Sequence, residues 1–593
     1  MADNYKITQY SVNSILNNVL SSQIAIPEMQ RPFVWKGKEV KDLIDSLYEG
    51  YPIGYLIVWQ NTRVRLRGFG KGGTKKILID GQQRVTALMA ALLGREVLDD
   101  EYKSHRIKIA FLPIADEEEE HFAVNDGYYD DKPEWIPDIS VLFRRDFSFR
   151  KYEKEYAKRN PGKDISRLEA SVDRLKDIVK HQVGIIELSF LLDIDVVSEI
   201  FIRINLQGKP LNQEDFAMSK ISVNEQYEGD RIRNCIDYFC HLLQDPSFLD
   251  ILKREEAEFM TTEYGRNLSW IGSGDSFSYV PSYSDMLKVV LIAYFGKSKV
   301  GDLVNLLSGK TSRRGEISKK LSQESFEKLA EGVKAFTREE NFRGFAGALA
   351  KAGYTCPRLM YSQSVLNYCY AMYLLMDQEG IMVKDREKLI GRFMTMALIT
   401  GHYQSSPDSV VLKDYAEIRE AGFASYLRQI EELRLTDDFF ANILPDRYTT
   451  TTVKTAPFIA FLAAQTAQGT HALYSKDVTI GQLLADKPES YQLLSRTYLE
   501  KCGFKTRETY GQVANITYIP KDIKTLLKKK APGAYQTDLE KILTPEEIRA
   551  SLAEHGIPEG FFEADKSNVA DILAARRKNM AQIIKSYYRE FLG

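Results

Sequence analysis

The stretch Lys76-Ile77-Leu78-Ile79-Asp80-Gly81-Gln82-Gln83-Arg84-Val85-Thr86-Ala87-Leu88-Met89-Ala90-Ala91-Leu92-Leu93-Gly94 changes its period halfway along. The apolar run Lys76 to Ile79 reads as a buried strand, and Val85 to Leu93, closed by Gly94, reads as a helix. The polar five residues between them therefore occupy a strand-to-helix turn. Free backbone N–H groups and the positive end of the helix dipole make such a turn a natural anion site. Arg84 offers a forked, permanently charged phosphate ligand. Asp80 offers a carboxylate to Mg²⁺, and Gln82 and Gln83 could orient a water or a phosphate oxygen. A plain helix cap, with Asp80 at the N-cap and the glutamines solvated, accounts for the same five residues equally well.

Three more constellations accompany the turn. Ile26-Pro27-Glu28-Met29-Gln30-Arg31-Pro32-Phe33-Val34-Trp35 sets an arginine among prolines and aromatics, just before an amphipathic helix expected from about Lys38 to Tyr48. Pro52-Ile53-Gly54-Tyr55-Leu56-Ile57-Val58-Trp59 follows, with a strand expected over Gly54 to Gln60. Phe201-Ile202-Arg203-Ile204-Asn205-Leu206-Gln207-Gly208-Lys209-Pro210-Leu211 then precedes Asp215 and Ser219. Taken in order with the Asp80 to Arg84 turn, these segments resemble the N-terminal domain of GmrSD-type restriction proteins, distant relatives of ParB nucleotide-binding domains. The resemblance covers about the first 220 residues.

The resemblance implies nucleotide-dependent recognition and restriction of foreign DNA, often phage DNA carrying modified bases or a modified backbone. It makes Asp80, Gly81, Gln82, Gln83 and Arg84 the nucleoside-triphosphate site, in agreement with the anion-site argument. It adds Gln30, Arg31, Arg203 and Asn205 as nucleotide contacts. Arg31 stacked on Trp35, and Asn205 with Gly208 shaping a turn, are the structural alternatives.

With 593 residues and 44% hydrophobic content, the chain needs two to four domains. A soluble, cytoplasmic protein is expected: no apolar run approaches bilayer length, and Met-Ala-Asp-Asn-Tyr-Lys lacks the regions of a secretory signal. Cys235, Cys240, Cys356, Cys369 and Cys502 are scattered and lack CxxC spacing, which suggests reduced thiols. A net charge of -2 excludes a wholly basic nucleic-acid binder but allows local basic surfaces.

Further strands are expected at Arg63 to Arg67, Arg106 to Phe111 and Val183 to Leu188, with the glycines at 68, 70, 72 and 73 in a loop that lacks Walker spacing. The acidic run Asp116 to Glu120 and the charged stretch Lys151 to Arg174 read as solvated surface. Beyond Phe190 the period becomes helical, over Val196 to Ile204, Gln213 to Ser222, Asp230 to Leu243, Tyr283 to Phe295, Glu324 to Thr337, Leu366 to Asp377 and Glu387 to Thr400. Tyr361, Tyr368, Tyr370 and Tyr373 suggest base stacking, but at helical spacing they fit a core better.

Near the C-terminus, Tyr491-Gln492-Leu493-Leu494-Ser495-Arg496-Thr497-Tyr498-Leu499 and Val513-Ala514-Asn515-Ile516-Thr517-Tyr518-Ile519-Pro520-Lys521-Asp522-Ile523-Lys524 resemble the framework of the HNH-type nuclease that closes many of these relatives. By that resemblance Tyr491 and Gln492 stand where the histidines belong and Lys524 where a later asparagine does. Neither replacement of a histidine is an imidazole base. The resemblance therefore implies a nuclease fold kept without its active centre. His471 reads as an ordinary surface or cap residue. Between Lys487 and Lys530 ten Lys or Arg stand against four Asp or Glu. That excess makes Lys528, Lys529 and Lys530 candidate DNA contacts, with a solvated helix as the alternative. Arg576-Arg577-Lys578 carries the same two readings.

The expected architecture is an α+β, ParB-like nucleotide-binding domain (residues 1–220), a mainly α-helical middle (221–445) and a small α/β, HNH-like C-terminal domain (446–593). The expected function is nucleotide-dependent antiviral defence. Mg²⁺ and a nucleoside triphosphate are the cofactors, DNA is the target, and a partner protein supplies cleavage. Three alternatives stay open: an autonomous Mg²⁺-dependent endonuclease, a nucleotide- and DNA-binding adaptor without turnover, and a toxin-like effector. Oligomeric state is equally open, a homo-oligomer included.

Overall fold

The computed structural model describes residues 4–25, 33, 35–61, 75–99, 103–115, 119–192, 196–197, 200, 213–222, 224–272, 274–310, 318–486, 488–527 and 530–591. The chain divides into two units, Met1–Asp230 and Arg231–Gly593. Helix predominates, above all in the second.

The first unit runs β1 (Tyr5–Ser11), α1 (Val12–Leu20), β2 (Ile24–Ala25), α2 (Gly37–Tyr48), β3 (Leu56–Asn61), β4 (Lys75–Asp80) and α3 (Gln82–Leu93). It continues through β5 (Val97–Leu98), β6 (Ser104–His105), β7 (Lys108–Phe111), β8 (Phe122–Asn125), α4 (Phe149–Arg159), α5 (Leu168–Asp177) and β9 (Gln182–Leu188). Five of these strands form one mixed sheet in the order β1-β9-β3-β4-β2. β1 runs antiparallel to β9, β3 parallel to β9 and antiparallel to β4, and β2 parallel to β4. Strand alternation sorts the apolar side chains onto two faces. Leu56, Val58, Leu78, Val183 and Ile185 join the main core with Val12, Val40, Ile44 and Val85 from α1 to α3. Ile57, Trp59, Ile77 and Leu188 build a smaller core on the other face.

One charge lies inside this sheet. Glu187, its side chain 1% exposed, accepts a hydrogen bond from the Tyr10 hydroxyl at 2.6 Å and pairs with Lys6 at 2.8 Å and with Lys76. Lys76 also donates to the Tyr10 hydroxyl at 2.6 Å. Burial alone raises a carboxyl pKa, but the bonds from Lys6, Lys76 and Tyr10 outweigh it and bring Glu187 down to about 2 from 4.5. The cluster ties β1, β9 and β4 together across β3.

In the second unit the helices Tyr283–Phe295, Lys319–Thr337, Gln363–Gln378 and Val383–Thr400 carry the expected periodic segments, several beginning a turn earlier than the apolar pattern does. Tyr368, Tyr370 and Tyr373 are core residues, as their spacing suggested, and the Tyr370 hydroxyl donates to the Phe336 carbonyl at 2.7 Å. Buried Asp414 accepts from Tyr403 at 2.7 Å and Tyr426 at 2.5 Å, and lies 2.9 Å from His402 Nε2. Residues 446–593 lie in the same unit as this bundle. They include the two-stranded antiparallel sheet β10 (Ser490–Gln492) with β11 (Ile516–Tyr518), and the helices Lys521–Leu527 and Val569–Ser586.

The expected strand Arg63 to Arg67, the glycine loop and most of Val196 to Ile204 lie outside the described residues. The charged stretch Lys151 to Arg174 is less solvated than expected, because Tyr156 of α4 and Leu168 and Val172 of α5 are buried in the main core. All five cysteines are free, four of them buried and Cys502 half-buried. Among the described residues no helix is long and apolar enough to cross a membrane.

Candidate nucleotide site

β4 runs through Asp80, and α3 begins at Gln82, three residues before its apolar face does. Gly81 between them is the N-cap, with φ +94°, and its carbonyl accepts the Val85 N–H at 3.0 Å. The simple cap reading fails in one respect: Asp80 is the last strand residue and not the cap. A side chain on Gly81 would need a left-handed backbone and would also put a Cβ 2.1 Å from Leu56 Cδ2, so only glycine fits. Glycine at the cap puts no side chain of its own over the start of α3.

Asp80 and Arg84 meet across the mouth of the turn. Arg84 Nη2 donates to Asp80 Oδ2 at 3.0 Å, and Nη1 donates to the Ile53 carbonyl at 2.8 Å. Their side chains are 27% and 19% exposed, so both reach the surface while most of each is covered. A guanidinium carries five N–H donors, and these two bonds use two of them. Gln82 is buried beneath the turn and Gln83 is half-buried. The turn thus gathers helix N–H groups, a carboxylate, a guanidinium and two amides on five consecutive residues.

Among the described residues no three His, Cys, Asp or Glu gather into a metal-binding group. Mg²⁺ needs no such group, since it takes one or two protein carboxylates and completes its shell with phosphate oxygens and water. Asp80, part-exposed at the end of a strand, fits that role. Gln30, Arg31, Arg203 and Asn205 lie outside the described residues. The Ile53 carbonyl and Gly54 were not singled out as site residues. Their signal was present in Pro52-Ile53-Gly54, which served only as a mark of resemblance.

The C-terminal positions have other work. Asn515 is fully buried and makes a closed set of backbone bonds. Its Nδ2 donates to the Leu494 and Tyr510 carbonyls at 2.8 and 2.9 Å, and its Oδ1 accepts the Leu494 N–H at 2.8 Å. Tyr491 is buried, and burial pushes its hydroxyl up to about 12. Gln492 donates to the Tyr510 carbonyl at 3.1 Å, and Lys524 pairs with Glu489 at 2.5 Å. His471 is exposed, and its carbonyl lies 2.9 Å from Nε2 of buried His555.

The basic candidates separate in the same way. Lys528 and Lys529 lie outside the described residues, and Lys530 is ion-paired with Asp538. Arg576, 1% exposed, is a core residue and not part of a basic surface. Its Nη1 donates to the Ala514 and Ile516 carbonyls at 2.7 and 3.0 Å, which pins β11 to the last long helix. Arg577 donates to Gln512 Oε1 at 2.7 Å.

No curated protein matches the chain. Residues 12–222, which hold β4, the turn and α3, match the family described as GmrSD restriction endonuclease, N-terminal domain.

Proposed function

We propose that this protein is a nucleotide-dependent restriction factor: its first unit binds and hydrolyses a nucleoside triphosphate, and the nucleotide state governs how the protein engages foreign DNA. The observation that carries the reading is the Asp80 to Arg84 turn. A glycine-capped helix N-terminus, a carboxylate and a guanidinium converge there, inside the segment that matches the restriction family. Asp80 would hold Mg²⁺ there, and the ion would supply charge neutralisation to a bound polyphosphate. The start of α3 receives phosphate oxygens, and the Arg84 guanidinium takes further charge there. Gln83, half-buried at the same turn, orients the attacking water.

DNA cleavage is assigned to a partner. The region resembling an HNH nuclease has Tyr491 and Gln492 at the histidine positions, and Asn515 has all its described bonds directed at the backbone. The cytoplasm is the compartment this reading assumes, and oligomeric state is left to measurement. One observation favours a second reading. Asp80 and Arg84 already satisfy each other, which suits an adaptor that binds nucleotide without turning it over.

The deciding experiment is phosphate release by the full chain with Mg²⁺ and each of the four common ribonucleoside triphosphates, with and without modified phage DNA. Turnover that is lost in both Asp80→Ala and Arg84→Ala, with unchanged circular dichroism, is the expected result. Full turnover by both variants removes the proposed site. Tight binding without turnover leaves the adaptor.

A further inference from the structure

We infer that Ile53 and Gly54 are a working part of this site, a backbone clamp that sets the Arg84 guanidinium, with Gly54 as a positioning residue. The inference rests on the triphosphate reading for its function but on geometry for its mechanics. Gly54 has φ +86°, and a Cβ there would stand 2.6 Å from Arg84 Nη1. On the other side, a Cβ on Gly81 would come within 3.3 Å of Nη2. The guanidinium therefore lies between two glycine backbones from different segments, one ahead of β3 and one after β4. Each flank also supplies an acceptor: the Ile53 carbonyl takes Nη1, and Asp80 takes Nη2.

Two bonds from different segments fix the plane of a rigid fork, and a slot without side chains lets it sit against the main chain. An arginine so held cannot swing towards an arriving anion without giving up both bonds. It is set to receive the anion where it stands, on N–H groups other than those two. The site therefore selects a ligand with oxygens already placed for that edge and for the start of α3 together, as a polyphosphate has and a single small anion does not. The arrangement also gives Pro52-Ile53-Gly54 a task beyond shaping the approach to β3.

The test is a double-mutant cycle on the full chain with Gly54→Asn and Arg84→Ala. Asparagine tolerates a left-handed backbone, so this variant isolates the crowding of the guanidinium from backbone strain. In the wild-type background Gly54→Asn is expected to weaken triphosphate binding about tenfold and to lower the melting temperature by about 4 °C. In the Arg84→Ala background both losses should fall to less than half. Arg84→Lys, a point charge without a fork, should not restore affinity. Equal losses in the two backgrounds, or full affinity in Gly54→Asn, overturn the clamp. If the wild-type protein binds no triphosphate, the proposed function fails, and the melting-temperature cycle still decides the clamp by itself.

Discussion

Replacing Glu187 by glutamine removes the buried charge at the centre of the sheet while keeping its shape. The carboxyl is held at about 2 in the folded chain against 4.5 ordinarily. A gap of roughly 2.5 units, at about 1.36 kcal/mol per unit, amounts to about 3 kcal/mol of stability. Lys6 is 62% exposed, so its share is screened by solvent, and about 2 kcal/mol is the better figure. With a urea dependence of about 3 kcal/mol per molar, the midpoint of the first unit should fall by roughly 0.7 M at pH 7. Trp59 reports on this transition, since its indole N–H donates to the Ser189 carbonyl beside the cluster. The sign follows from linkage. Because the folded pKa is depressed, the advantage of glutamate over glutamine is complete above about pH 4.5. It shrinks as pH falls and is gone below about 2. At pH 3 less than half of the gap should remain. Identical midpoints at pH 7, or a gap of constant size from pH 7 to pH 3, refute the reasoning.

Three further outcomes are expected. Buried His555 is lowered to about 4, chiefly because burial disfavours its charged form, so the unfolded chain takes the proton first and stability falls between pH 6.5 and 4. His555→Gln should flatten that slope in thermal unfolding, and an unchanged slope would assign it to other groups. Asn515→Ala strands the Leu494 N–H and two carbonyls, and should cost about 3 kcal/mol and speed proteolysis between residues 490 and 518. Native protein treated with a thiol reagent should label Cys502 rapidly and Cys235 hardly at all, since Cys235 is buried with its thiol pushed up to about 12; mapping the modified peptides checks it.

The turn could be read from sequence because its signals are local. An apolar run, a glycine and a helical period lie within twenty residues, and the i to i+4 spacing of Asp80 and Arg84 is itself that of an ion pair. The parts that stayed hidden depend on distant partners. Glu187 sits in a segment correctly read as a strand, but Lys6 and Lys76, which make its burial tolerable, come from strands far along the chain. β1 itself was not anticipated, because the Tyr5-Lys6-Ile7-Thr8 alternation is broken by Gln9 after only four residues, too short to mark a strand. Arg576 stands in a run with Arg577 and Lys578 that looks like surface, and nothing local reveals that the carbonyls of Ala514 and Ile516 will enclose it. The clamp on Arg84 was missed for the same reason: a backbone carbonyl carries no sequence signature.

The Glu187 cluster makes β4 a strand with both ends engaged. Lys76 at its start is bound into the cluster with Tyr10 and Lys6 of β1, and Asp80 at its end holds Arg84. β1 and β4 are not neighbours in the sheet, yet a change at residue 6 or 10 reaches the strand that presents the candidate site. Expressed chains trimmed or fused close to Lys6 are therefore not neutral reagents for enzymology. A tag placed there sits next to a side chain of the Glu187 cluster, which in turn holds the start of the strand that ends in Asp80, a variable that purity and yield do not reveal.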